Sequence, residues 1–217
     1  MNKEYLFFDL DGTLTDPKTG ITKSVQYSLK AFGIDIANPD ELVPFIGPPL
    51  RDSYKNFYGL SDVDAEKAVA KYREYFSEQG IFENAVYSGI GDLLKAQAAS
   101  DRTLAVATSK PTVYAEKILK HFNIDSYFTF VAGSELDGRR SDKRLVIQYA
   151  LDNLNITEVS RVIMIGDREH DILGAKKLGI DSIGVLFGYG DYNELSAAGA
   201  NHIVSDVKEL RELLAGI

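Results

Sequence analysis

Short apolar runs rich in β-branched and aromatic residues recur along this chain, each closed by a polar or glycine-containing turn, and stretches of helical periodicity lie between them. That alternation constrains the fold more than any other feature. The runs cover 5–8, 103–107, 128–131, 162–165 and 182–185, and they read as buried strands. The helical stretches cover 91–98, 111–121 with Pro111 in the first turn, 143–154, and 170–178 closed by Gly179;. Strand and helix in turn predict an α/β fold with a parallel sheet and right-handed crossovers, a Rossmann-like core. One stretch breaks the pattern. Between residues 16 and 87 two helices are expected, over 21–32 and 64–77, with no convincing buried strand;. The predicted organisation is therefore a core of 1–15 and 88–217 interrupted after its first strand by a helical insertion, 16–87, whose edges carry Pro17, Gly20, Ser88 and Gly89 as candidate hinges;.

The chain's 217 residues, 45% of them hydrophobic, can fill one large core or a core with an inserted lobe;. Its 24 Lys and Arg against 32 Asp and Glu give a net charge of -8 with no basic block, which argues against a nucleic-acid partner;. The absence of cysteine removes disulfides, thiolate metal sites and thiol nucleophiles together;. Carboxylates are then the natural metal ligands, and a hard cation the natural metal. The N-terminal MNKEYLFFDL carries an apolar run too short for a signal sequence, and no stretch reaches membrane-spanning length, so a cytoplasmic protein without a membrane partner is expected;.

The sharpest chemical signal is FFDLDGTLTD. Asp9 and Asp11 follow an apolar strand two residues apart, so strand periodicity sends both carboxylates to one side;. In an open parallel sheet, ligands bind beyond the carboxyl ends of the strands, where this pair would lie. Gly12 permits a sharp turn after it, and Thr13 can hydrogen-bond locally;. Alone, the segment reads equally well as an ordinary Asx turn. Three later segments shift that balance, each placed just after or near a predicted strand. In AVATSKP the hydroxyl of Thr108 and the backbone N–H groups of Ser109 and Lys110 could hold a phosphate oxygen;. Lys143, near the start of a helix, could pair with a phosphate and a nucleophile;. In VIMIGDREHD, Asp167 and Asp171 are like charges four apart, a repulsion that a bound cation would relieve;.

DxDGT, then Thr, then Lys, then GDxxxD, in that order over essentially the whole chain, resembles the haloacid dehalogenase superfamily of phosphotransferases. The resemblance implies a phosphatase that moves a phosphoryl group from a small-molecule phosphate ester to a carboxylate and then to water. Within it, Asp9 is the nucleophile, Asp11 the general acid and base, Thr108 with Ser109 the phosphate contacts, and Lys143 the stabilising cation. Asp9, Asp11, Asp167 and Asp171 surround Mg²⁺. The insertion matches the superfamily's helical cap as found in phosphoglycolate phosphatases, β-phosphoglucomutases and related nucleotidases. A phosphomutase and a non-catalytic phosphate-binding regulator stay open as alternatives, as does assembly as a monomer or weak homodimer.

Within the insertion, FIGPPLRDSY places a stiff Gly47-Pro48-Pro49 turn before Arg51, which could pair bidentately with a substrate anion or stand as a solvated arginine at a helix start;. Tyr54, Phe57 and Tyr58 recur at roughly helical spacing, as core residues of the insertion do;. His170, inside GDREHD at a helix start, reads as a surface residue or one behind the ligands and not as a ligand, while His121 and His202 carry no partner signature and are assigned no role.

Overall fold

The computed structural model describes residues 3–217, so the first two residues of the N-terminal reading and of the expected core lie outside the described residues. In chain order the first elements are β1 (Tyr5–Phe8), β2 (Thr15–Asp16), α1 (Lys18–Lys30), α2 (Leu50–Tyr58), α3 (Asp62–Tyr75), β3 (Ala85–Val86) and α4 (Ile90–Ala98). There follow β4 (Thr103–Pro111), α5 (Thr112–His121), β5 (Phe130–Ser134), α6 (Lys143–Asn153), β6 (Val162–Gly166) and α7 (Glu169–Lys176). The chain closes with β7 (Asp181–Val185), α8 (Tyr192–Ala198), β8 (His202–Val204) and α9 (Val207–Ala215). It forms two compact units: the chain up to Asp16 together with Val86–Ile217, and Pro17–Ala85.

The first unit is an α/β sheet of order β5-β4-β1-β6-β7-β8, parallel throughout, with β2 and β3 forming a separate two-stranded sheet. Strand β1 is central, pairing Phe8 with Val106 of β4 on one side and Ile165 of β6 on the other. The chain builds outward from β1 to β4 and β5, then crosses back to β6 and continues to β7 and β8. Connections thus leave β1 and β6 in opposite directions, and the crevice this opens beyond their carboxyl ends is where such sheets bind ligands. Phe7, Ala105, Met164, Val146, Ile147 and Ala150 form one buried cluster, which packs α6 against β1, β4 and β6. Leu6 and Phe8, which alternation turns to the opposite face, are equally buried, so both sheet faces are covered as parallel sheets require;. The main differences from the sequence reading are at β4 and β5, and in the insertion, where α2 adds a third helix to the two expected. Residues 125–127 form a turn of 3₁₀ helix, which delays β5 to Phe130, and β4 runs on through Thr108 to Pro111.

The second unit is helical. Asn38 caps a 3₁₀ helix (Pro39–Phe45) by accepting from Asp40 N–H at 3.0 Å, and Phe45 packs edge-on against Tyr54 with ring centres 5.1 Å apart. Ser61 caps α3. Tyr54 is fully buried, as expected of a core residue, whereas Phe57 is half exposed. Gly20 is no hinge. It lies inside α1, where an added Cβ would stand 1.9 Å from the carbonyl oxygen of Gly80, so only glycine permits this backbone approach;. Among the described residues, no helix is long and apolar enough to cross a membrane.

Candidate active site

Asp9 follows the last residue of β1, and its backbone N–H still donates to Ile165 O at 2.9 Å, continuing the ladder to β6. Its carboxylate is therefore presented at the β1/β6 crevice. Asp167 follows β6 directly, and Asp171 sits in the first turn of α7, where Oδ2 accepts from Arg168 N–H at 3.1 Å. The helix begins only at Glu169, so it is the β6–α7 turn that brings Asp167 and Asp171 together. Oxygens of Asp9, Asp167 and Asp171 all lie within 4.8 Å of one another, and all three side chains are buried.

Lys143 reaches this cluster because Asp142 caps α6, accepting from Arg144 N–H at 2.9 Å, and so fixes where the helix starts. Its stem passes Gly174 of α7 closely enough that a Cβ there would meet Lys143 Cγ at 3.0 Å. Nζ donates to Ala107 O at 3.1 Å and stands 2.9 Å from Asp9 Oδ1 and 2.7 Å from Asp171 Oδ1. Those two oxygens are held at ion-pair distance without an aligned hydrogen bond, and Asp11 Oδ1, also buried, accepts none among the described residues. Burial would pull the Lys143 ammonium's pKa down, but Asp171 and Asp9 outweigh it and hold the group above its ordinary range;.

The carboxylates respond in the opposite sense. Burial pushes the Asp171 carboxyl up to about 6 against the pull of Lys143, with Asp9 adding to the rise. Burial, then Asp171 and Asp9, raise Asp167 well above the ordinary carboxylate range. Burial also raises Asp11, opposed by Lys110. Asp9, Asp167 and Asp171 crowd together with Lys143 as the ammonium that pairs with two of them, and a divalent cation would lower the cost of ionising all three;. An all-oxygen donor set of this kind suits Mg²⁺.

Asp11 is not one of the three carboxylates whose oxygens converge; it pairs with a lysine at the edge of the cluster. Its Oδ2 lies 2.8 Å from Lys110 Nζ, and both side chains are largely buried. Sequence reasoning gave Lys110 a backbone role only. Lys110 lies at the end of β4, where the pairing with β5 shifts register between Ala107 and Pro111, so strand alternation gave no signal for its side chain. The Lys110 N–H, expected to face a phosphate oxygen, points to Thr108 Oγ1 at 3.3 Å. Thr108 is buried, and Ser109 uses its carbonyl to accept from Ser134 Oγ at 2.8 Å. Thr13 bonds across the sheet: its hydroxyl donates to Asp167 Oδ1 at 3.4 Å. Asp167 Oδ2 accepts from Tyr189 N–H at 2.8 Å, in a loop with no motif to announce it. Arg51, in the helical unit, is about half exposed and pairs with Asp62 at 3.1 Å and Glu66 at 3.5 Å.

Residues 6–185 match the family model described as haloacid dehalogenase-like hydrolase. A 5'-nucleotidase of Pseudomonas aeruginosa is 46% identical over 209 residues, covering 96% of this chain and 94% of its own. A protein named tyrosine-protein kinase PtkA, of Mycobacterium tuberculosis, is 37% identical over 213 residues, covering 97% of this chain and 72% of its own. Phosphoglycolate phosphatases of three further bacteria match at 24% to 30% identity. Among solved structures, a predicted phosphatase from Clostridium acetobutylicum superposes with a TM-score of 0.97 at 47% identity, covering 100% of both chains. The chain belongs to the haloacid dehalogenase-like hydrolases and is an enzyme of that family.

Proposed function

We propose that this chain is a Mg²⁺-dependent phosphatase that hydrolyses a small-molecule phosphomonoester through an aspartyl-phosphate on Asp9. The observation that carries the reading is the buried Asp9–Lys143–Asp171 bridge beside Asp167, a nucleophile held between a fixed cation and an oxygen cage. Asp9, Asp167 and Asp171 would hold Mg²⁺, with Asp11 beside them. The ion, when bound, offsets the repulsion between the phosphate ester and its carboxylate nucleophile. Asp9 attacks phosphorus in line, and the ester oxygen leaves. Asp11 protonates that leaving oxygen and then takes a proton from the water that attacks the phosphoryl group on Asp9. Its raised pKa favours holding the proton the first step needs;. Lys143 stabilises the charge shared by Asp9 and the transferred group, and Thr108 with Ser109 contacts the phosphoryl oxygens.

The core residues meet only the phosphoryl group, so selectivity must come from surfaces that meet the leaving group. We assign these to the helical unit, read as a cap, with Arg51 as the candidate contact. Nucleoside 5'-monophosphates are the favoured substrate class, because the 5'-nucleotidase relative matches far better than the phosphoglycolate phosphatases. A cytoplasmic location suits such substrates. The test is release of inorganic phosphate from a panel of nucleotides, phosphoglycolate, sugar phosphates and an aryl phosphate, compared by kcat/KM with Asp9→Asn as control. A nucleoside monophosphate should rank first and the variant should be inactive. Equal turnover by Asp9→Asn would overturn the reading.

A further inference from the structure

The segment after β7 runs Leu186-Phe187-Gly188-Tyr189-Gly190-Asp191, and its backbone lies against Asp167. A Cβ at Gly188 would stand 2.2 Å from Gly12 O and 2.4 Å from Asp167 Cβ, and one at Gly190 would stand 2.0 Å from Asp167 O. Glycine is required at both positions for this approach, yet glycine contributes no side chain to hold the peptide where it is needed. The one side chain between them is that of Tyr189. Its hydroxyl donates to Asp16 Oδ1, and the phenol of Tyr87 lies within hydrogen-bonding reach of it. Asp16 ends β2, the last residue before the chain enters the helical unit, and Tyr87 follows β3, where it returns. Phe187 adds an edge-on contact with Tyr87 at 5.2 Å.

We propose that Tyr189 is a positioning residue: its hydroxyl, donating to Asp16 and lying beside Tyr87 at the two connections to the inserted unit, fixes the peptide N–H that orients Asp167. The physical ground is that a ligating carboxylate is aimed by the group that hydrogen-bonds its second oxygen. Here that group is a backbone N–H set between two glycines, and its orientation depends on a phenol anchored elsewhere. The inference rests on the phosphatase reading, since it gives Asp167 a metal to hold.

Tyr189→Phe removes the hydroxyl and leaves the ring and the backbone in place. Calorimetric titration of Mg²⁺ should show binding weakened about tenfold, the low end for a partner of a metal ligand. For an aryl phosphate at saturating Mg²⁺, kcat should fall with KM little changed, while the thermal midpoint measured in chelator stays near that of the wild type. Asp16→Ala should reproduce these losses, Asp16→Asn should retain most function because its amide oxygen still accepts, and Tyr189→Phe with Asp16→Ala should be no worse than either alone. Additive losses, or a Tyr189→Phe protein with unchanged Mg²⁺ affinity and kcat, would overturn the assignment while leaving the phosphatase reading intact. A loss of midpoint alone would reduce Tyr189 to a packing role. A wild-type chain that binds no Mg²⁺ would overturn both readings.

Discussion

Replacing Lys143 with Met keeps the aliphatic stem that packs against Gly174 and deletes the ammonium that stands 2.9 Å from Asp9 and 2.7 Å from Asp171. Breaking a buried ion pair by removing one partner costs roughly 3 to 5 kcal/mol, because the remaining charges are left uncompensated. For a protein of this size 1 kcal/mol moves the midpoint by roughly 2 to 4 °C, so a fall of about 6 to 20 °C is expected in chelator near pH 7.5. Saturating Mg²⁺ should recover part of it, since the ion supplies positive charge to the same carboxylates. The pH dependence has a definite sign. The Asp171 carboxyl, raised from 3.8 to about 6, contributes stability that is fully present below 3.8 and is lost as pH rises through about 6;. Without Lys143 that carboxyl rises further, so at pH 5 it is protonated in the variant and uncharged burial costs less. The gap between wild type and Lys143→Met should therefore be narrower at pH 5 than at pH 8. Thermal melts at both pH values, with chelator and with Mg²⁺, measure it. A variant within about 1 kcal/mol of wild type in chelator at pH 8 would refute the view of Lys143 as the charge that holds this cluster together.

Asp11→Asn should slow turnover by roughly two to four decades, and in rapid-quench assays the phosphorylation step should slow far more with alkyl than with aryl phosphates, whose leaving groups need little acid; equal slowing of that step would argue against the acid role. Activity lost in chelator should return with Mg²⁺ but poorly with Ca²⁺, which takes more ligands at longer distance, and full activity with metal removal verified would contradict this. Gly188→Ala should lower both midpoint and activity, because its Cβ would meet Gly12 O at 2.2 Å and backbone cannot yield cheaply; a variant indistinguishable from wild type by melting and kinetics would show that the loop is free to shift. Arg51→Ala breaks only exposed ion pairs and should change stability by less than about 1 kcal/mol, while kcat/KM falls by about 1.5 to 3 kcal/mol for a substrate with a second anion and hardly at all for an aryl phosphate;.

Much of this was legible in the residues, for identifiable reasons. Strands β1, β6 and β7 end where they were read or one residue on, because apolar runs buried on both faces are bounded by polar turns, and Lys143 stands at the head of α6 because Asp142 is a strong cap;. What escaped depends on contacts far apart in sequence. The Lys110–Asp11 pair joins the end of β4 to the turn after β1, and only the backbone of Lys110 was given a role because β4 extends beyond its apolar run. Thr13 seemed a local turn residue, yet its partner is Asp167. Strand β8 is three residues at the sheet edge, too short to leave a pattern. Phe128 and Thr129 have strand composition but follow the 3₁₀ turn and precede β5, whose far end runs on to Gly133, where an added Cβ would strike Lys110 O at 2.5 Å and only glycine permits the close backbone approach;.

The central claim is that Asp9 accepts the phosphoryl group, and it can be tested on the covalent intermediate itself. Asp11→Asn should still be phosphorylated by an aryl phosphate in Mg²⁺, because that leaving group departs without an acid, but should be slow to pass the group to water for want of a base. Rapid acid quenching followed by peptide mass analysis should then find one phosphoryl group, on the peptide holding Asp9, absent without Mg²⁺ and absent when Asp9 is also changed to Asn. Phosphate release at a steady rate from protein that carries no phosphoryl group, or carries it on another residue, would contradict the account.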